Sequence, residues 1–247
     1  MVGFITKILM KIALVFVVLV PYFSQAQLIS ELEGIEPGFY ELILPGTDRR
    51  YTIVVPEGYS PGDSVPLVLS LHYGGSVTPF YGRGLLENLI EPALRGLGAI
   101  LVAPDSAAGD WSNPEAEQHV LQLLTHVMRV YNIDEQKTLV TGYSMGGRGT
   151  WYLASRNQDY FRAALPIAGL PESNSGSIDW QIPIYVIHGA QDQVLALKPN
   201  QLVVQELQSR DSPVQLVVLD GVGHYEIPRY QEHLAAAVPW IRESWGE

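Results

Sequence analysis

The sequence predicts a single α/β domain, a mostly parallel sheet of about eight strands with helices on both faces. Three observations carry this. Apolar, β-branched runs of four to seven residues recur and stop at Gly or Pro, as strands buried on both faces do. Segments of helical period alternate with them. No repeat, low-complexity tract or linker divides the chain, and 247 residues at 47% hydrophobic composition suffice for a substantial core.

In chain order, the first 26 residues read as a segment apart. Lys7 and Lys11 precede the unbroken apolar run Ile12–Val20, followed by Pro21 and the small-x-small stretch Ser24-Gln25-Ala26. That is the layout of a secretory signal, with residues 1–26 removed and 28–247 forming the folded domain. The run is far short of the roughly 20 apolar residues that span a bilayer, and an uncleaved anchor is the alternative. Cleavage would change the net charge from −11 to −13 by removing two lysines. It would leave 221 residues and place the protein outside the cytoplasm, secreted or periplasmic.

Phe39–Leu44 and Arg50–Val55 flank the turn-rich Pro45-Gly46-Thr47-Asp48 and read as an antiparallel edge pair. Further strands are expected at Leu67–His72, Ile100–Ala103, Thr138–Thr141, Ala164–Ala168, Ile182–His188 and Gln215–Leu219. Glu115–Tyr131 carries apolar residues three and four apart behind Asn113-Pro114, a cap and a first-turn proline. Met145–Asn157, Pro199–Ser209 and Pro228–Trp245 are the other helix candidates, with a weaker one at Gly84–Gly96 broken by Pro92.

Composition excludes several kinds of chemistry. A chain without cysteine has no disulfide, thiolate metal site, iron–sulfur cluster or cysteine nucleophile. The acidic balance argues against nucleic acid, which demands clustered Lys and Arg. No His or acid spacing suggests a metal site, and no cofactor is implied.

In parallel sheets the reactive groups sit on loops leaving the carboxyl ends of strands. Gly142-Tyr143-Ser144-Met145-Gly146 is Gly-x-Ser-x-Gly placed between a predicted strand and a predicted helix. The glycines leave room for a tight turn, and Ser144 would stand exposed above the sheet as a nucleophile, with the Met145 N–H forming half of an oxyanion hole. A serine nucleophile needs a base and the base an acid. His224, in Gly221-Val222-Gly223-His224, is the candidate base, since His119, His126 and His233 fall on helices and His188 on a strand end. Asp192 follows the strand ending at His188 and is the candidate acid; Asp220, four residues before His224, is its rival. The loop His72-Tyr73-Gly74-Gly75 would supply the second oxyanion donor, Gly74 or else Tyr73, with His72 bonded inside the loop. Tyr73, Trp111, Tyr143 and Tyr225 lie near these loops and are the candidate substrate-binding residues. Arg148 reads as a surface or ion-pair residue, or at most a contact for a substrate carboxylate.

Together these loops, in this order, resemble the α/β-hydrolase superfamily. Leu71-His72-Tyr73-Gly74-Gly75, Tyr131-Asn132-Ile133-Asp134, the Gly142–Trp151 stretch and Val186-Ile187-His188-Gly189-Ala190-Gln191-Asp192 are similar to its secreted carboxylesterases. That branch holds feruloyl-esterase-like, phospholipase/carboxylesterase-like and "predicted peptidase" proteins, with dienelactone hydrolases nearby. Many relatives have His-Gly where this chain has His72-Tyr73, which puts an aromatic side chain near the pocket. The resemblance implies an α/β-hydrolase fold in which Ser144 is the nucleophile, Asp192 the acid and His224 the base. Cap domains of the superfamily are usually inserted between the sixth strand and the strand carrying the acid. Gly169–Gln181 is thirteen residues, too short for one. An open aromatic cleft suits a small-molecule or oligosaccharide ester. A serine peptidase or amidase would use the same residues, and a non-catalytic binding protein is the remaining alternative.

Overall fold

A computed structural model describes residues 36–106 and 109–247; the expected signal segment lies outside the described residues. Eight strands form one sheet: β1 Gly38–Ile43, β2 Arg50–Val55, β3 Val65–Leu71, β4 Ile100–Pro104, β5 Ile133–Tyr143, β6 Ala163–Ile167, β7 Ile184–Gly189 and β8 Val214–Leu219. Their spatial order is β1-β2-β4-β3-β5-β6-β7-β8. The β1–β2 and β2–β4 pairs are antiparallel and the rest parallel, so the N-terminal hairpin makes the edge, as its turn chemistry predicts. β5 begins five residues before the expected Thr138, because Val65 already pairs with Ile133 across a register shift.

The helical run over residues 82–97 (α1) and the helices α2 Pro114–Val130, α3 Met145–Arg156, α4 Lys198–Gln208, α5 Ile227–Ala236 and α6 Val238–Ser244 cover both faces. Side chains alternate across the sheet, so Leu67, Leu69 and Leu71 join one core and Val68 the other. The first core holds Val120 and Leu124 of α2, Trp151 of α3 and Leu207 of α4. The second holds Leu86 and Ile90 of α1, Leu234 of α5 and Ile241 of α6.

Two helices depart from expectation, each at a proline. A π turn, Leu86–Ile90, stands two residues before Pro92, which offers no N–H and crowds the preceding turn. The single helix expected over Pro228–Trp245 is two, parted at Ala237 just before Val238-Pro239. β6 and β7 are joined by residues 168–183 with one short 3-10 turn, Ser175–Ser177, and no cap domain. Among the described residues, no helix is long and apolar enough to cross a membrane.

Candidate active site

Ser144 is forced into its position by the two glycines around it. A Cβ on Gly146 would lie 1.8 Å from the Leu71 carbonyl oxygen, and one on Gly142 would lie 2.4 Å from that of Gly146. Only glycine lets β3, β5 and α3 approach this closely. The turn leaves Ser144 at φ 58°, ψ −114°, a strained conformation for a residue with a side chain. It is anchored by the Ser144 N–H, which donates to Ile167 at 2.9 Å. Met145 is the first residue of α3, so its N–H has no partner within the helix and faces the region of positive helix potential.

His224 stands between Ser144 and Asp192. Its Nδ1 meets Asp192 Oδ2 at 2.6 Å and its Nε2 meets Ser144 Oγ at 2.9 Å. An ionised carboxylate only accepts, so Nδ1 carries the proton and Nε2 accepts from the serine hydroxyl. The Asp192 side chain is fully buried, and its other oxygen accepts the N–H groups of Val194 at 2.9 Å and Leu195 at 2.7 Å. Asp220, the rival acid, is exposed on the turn after β8. A hydroxyl, an imidazole and a buried carboxylate in this chain can deprotonate the serine as it attacks a carbonyl.

Behind Asp192 lies a partner that sequence reasoning did not find. Asn200, from α4, donates to the Gly169 carbonyl at 2.7 Å and stands 2.9 Å from His188 Nδ1. The Gly169 carbonyl requires the amide nitrogen on that side, so His188 Nδ1 accepts and Nε2 carries the proton. That proton goes to the Leu195 carbonyl at 2.8 Å, with Asp192 Oδ2 3.5 Å away. Burial pushes the His188 imidazole below its ordinary value, keeping it neutral beside the carboxylate. The signal for Asn200 was slight: a polar residue on the inner face of an amphipathic helix.

The loop His72–Gly75, the expected source of an oxyanion donor, is held by a second buried imidazole. His72 is fully buried; Nδ1 donates to the Tyr73 carbonyl at 2.7 Å and Nε2 accepts from the Ser106 N–H at 3.0 Å. Burial lowers its pKa as well. Gly74 lies against the elbow, since a Cβ there would be 3.8 Å from Met145 Cβ.

The loops enclose a cleft of about 710 Å³ that reaches Ser144 and His224. Tyr73, Tyr143 and Tyr225 line it, with Leu85 and Leu89 of α1 and Ile227 of α5. Tyr143 packs between Tyr73, His224 and Tyr230, whereas Tyr225 is 79% exposed at the mouth. Trp111 requires a correction: it does not reach the cleft. It is 1% exposed, its indole N–H donates to the His72 carbonyl at 2.9 Å, and its ring packs on His72. Asp110 turns that loop inward by accepting the Trp111 and Ser112 N–H groups and pairing with Arg148 at 2.8 Å. Arg148 is thereby an ion-pair residue. The aliphatic wall from α1 went unforeseen because the π turn disguises its period.

A model of the dienelactone hydrolase family matches residues 106–238. The chain is 28% identical over 218 residues to a probable feruloyl esterase C of Aspergillus terreus, covering 73% of this chain and 77% of that one. It is 29% identical over 161 residues to feruloyl esterase C of Emericella nidulans, with 60% and 57% covered, so it spans little more than half of that relative. Among solved structures, a thermostable esterase superposes with a TM-score of 0.71 at 24% identity, over 84% of this chain and 62% of the other, a likeness of fold.

Proposed function

The chain belongs to the dienelactone hydrolase family and is a hydrolase of the carboxylesterase type, and from that premise we propose that it cleaves aryl or carbohydrate-linked esters through a Ser144 acyl-enzyme. The observation that carries the reading is the continuous relay of 2.9 Å and 2.6 Å from Ser144 through His224 to Asp192, ending on a strained serine at a helix head.

In the reaction, Ser144 Oγ attacks the acyl carbonyl while its proton passes to His224 Nε2. Asp192 stabilises the imidazolium through Nδ1–H, and the N–H groups of Met145 and Gly74 hold the oxyanion, each worth about 3–4 kcal/mol in comparable sites. The tetrahedral intermediate collapses, the ester C–O bond breaks, and His224 returns the proton to the leaving alkoxide. Water, deprotonated by His224, then attacks the acyl-enzyme, and collapse releases the acid with the proton returned to Ser144. The tyrosines of the cleft and the feruloyl esterase relatives support an aromatic acyl group. The export reading completes the proposal: residues 1–26 are a cleaved signal and 28–247 the catalytic domain.

Turnover of p-nitrophenyl acetate, methyl ferulate and an aminoacyl p-nitroanilide tests the activity. Both esters are expected to be cleaved, the anilide spared, and Ser144→Ala to be inactive and refractory to a fluorophosphonate probe. Cleavage of the anilide alone, or labelling of Ser144→Ala to the wild-type extent, would overturn it. The mass of the exported protein tests the signal.

A further inference from the structure

We propose that Met145 is an oxidation switch: a peroxide converts its thioether to a sulfoxide, and the added oxygen spoils the oxyanion site that the Met145 and Gly74 N–H groups would form; this rests on the esterase reading above. The chain has no cysteine, so its four thioethers are the sulfurs that an oxidant meets. Met1 and Met10 fall in the expected signal segment, which leaves Met128 and Met145. Both are partly buried and pack against the first core. Their places in the fold differ. Met128 is in the last turn of α2, which leads into the start of β5, at the sheet edge away from Ser144. Met145 directly follows Ser144 and opens α3.

The contact of Met145 with the loop after β3 gives its oxidation a consequence. Gly74 has no side chain, and Met145 covers the place where one would start. A Cβ on Gly74 would lie 3.8 Å from both Met145 Cβ and Met145 Sδ. The methionine side chain therefore folds across the junction of loop and elbow. A thioether suits that position, being apolar, adaptable and a weak hydrogen-bond acceptor. A sulfoxide does not. The sulfur lone pair attacks one peroxide oxygen, the O–O bond breaks, and water leaves; sulfur loses two electrons and the peroxide gains them. The product is larger by one atom and carries a strong acceptor with partial negative charge. Beside Gly74 it displaces the loop from its packing and competes for the N–H groups that a substrate oxyanion needs. Its negative end also opposes the charge that builds on the substrate oxygen. Ser144, His224 and Asp192 stay chemically intact, so the damage falls on transition-state stabilisation and not on the proton relay.

Treatment of the full chain with hydrogen peroxide tests this, with methyl ferulate turnover and peptide mass mapping followed on the same samples. Activity should fall in step with the gain of one oxygen on the peptide carrying Met145. At completion kcat should be roughly a hundredfold down with KM little changed, the loss of about one oxyanion donor. Met145→Leu, compared with its own untreated sample, should keep its activity in peroxide, whereas Met128→Leu should be inactivated as the wild type is. Activity that survives complete conversion of Met145, or inactivation of Met145→Leu at the wild-type rate, would overturn the switch. So would a Met145 left unoxidised while Met128 is converted, a result read from the peptides without any turnover. An untreated protein that cleaves no ester fails the esterase reading instead, and the peptide map still decides whether Met145 is the reactive sulfur.

Discussion

The two walls of the cleft are built on different principles. On the β7–β8 side, polar side chains crowd around one buried carboxylate: Asp192 takes two backbone N–H groups and His224, and Asn200 fixes the tautomer of His188 beside it. On the β3–β4 side the Asp110–Arg148 pair is exposed and no charge is buried against His224. A neutral His72 and the indole of Trp111 only fix the path of a backbone. A buried charge needs donors from every direction, because each missing one leaves its desolvation uncompensated. An oxyanion hole needs only that amides point one way, so packing and one strut suffice. The first wall should therefore fail through electrostatics and the second through shape.

The elbow between the walls gives the largest effect. Ser144→Gly removes the proposed nucleophile and also the positive-φ strain. Activity should fall roughly 10⁵- to 10⁶-fold. Relief of about 1–3 kcal/mol of strain, less the ~0.5–1 kcal/mol that glycine costs, should leave the variant about 1 kcal/mol more stable. Ser144→Ala, equally inactive, keeps the strain and should gain no such stability. Thermal melts of the two variants compare them; a Ser144→Gly protein no more stable than Ser144→Ala would mean that the turn stores no strain.

His188 tests the charged wall. His188→Leu removes the Nε2–H that ties down the Asp192–Leu195 turn. A hydrogen bond between neutral groups is worth about 0.5–1.5 kcal/mol, so kcat should fall about two- to tenfold with KM little changed. Gln places an amide N–H near the lost position, and His188→Gln should recover part of the loss. Steady-state kinetics on folded protein, checked by circular dichroism, decide it; equal activity in the Leu and Gln variants would make His188 a packing residue.

What was legible in the sequence follows the same division. Ser144, Asp192 and His224 could be picked out because each lies within three residues of a glycine just past a strand end, a local signal. Asn200 and Ser106 act across the fold, from α4 and from the loop after β4, and nothing near them in the chain marks their partners. Trp111 misled because proximity in sequence to an active loop says nothing about which way a loop turns; the Asp110–Arg148 pair, 38 residues apart, decides that. The strands were legible to within two residues at either end, save β5, which begins five residues before Thr138. The helices were less so where Pro92 and Pro239 alter the hydrogen bonding.

Both walls rest on an imidazole kept neutral by burial, so acid should weaken them together. His72 and His188 are held below the ordinary value of 6.5. In acid the unfolded chain therefore takes up protons that the folded one refuses. Their contribution to stability is complete above pH 6.5 and is lost as the pH falls through and below it. Melting temperatures between pH 7.5 and 5 should decline, and a flat profile would show that neither imidazole is held neutral.

The smallest effects separate a cleft aromatic from a buried one. Trp111→Phe deletes the N–H bonded to the His72 carbonyl while keeping most of the packing. It should cost about 1 kcal/mol of stability and leave KM for aryl esters unchanged. Tyr225, exposed at the mouth, holds little of the fold together. Tyr225→Ala should leave the melting temperature unaltered and raise KM for an aryl ester by about two- to tenfold, the worth of one aromatic contact. Urea denaturation and KM for methyl ferulate, measured on both variants, oppose the two outcomes directly. If Trp111→Phe raised KM and Tyr225→Ala did not, the β3–β4 wall would be reading substrate through its buried indole. Its role could then no longer be confined to the path of the backbone.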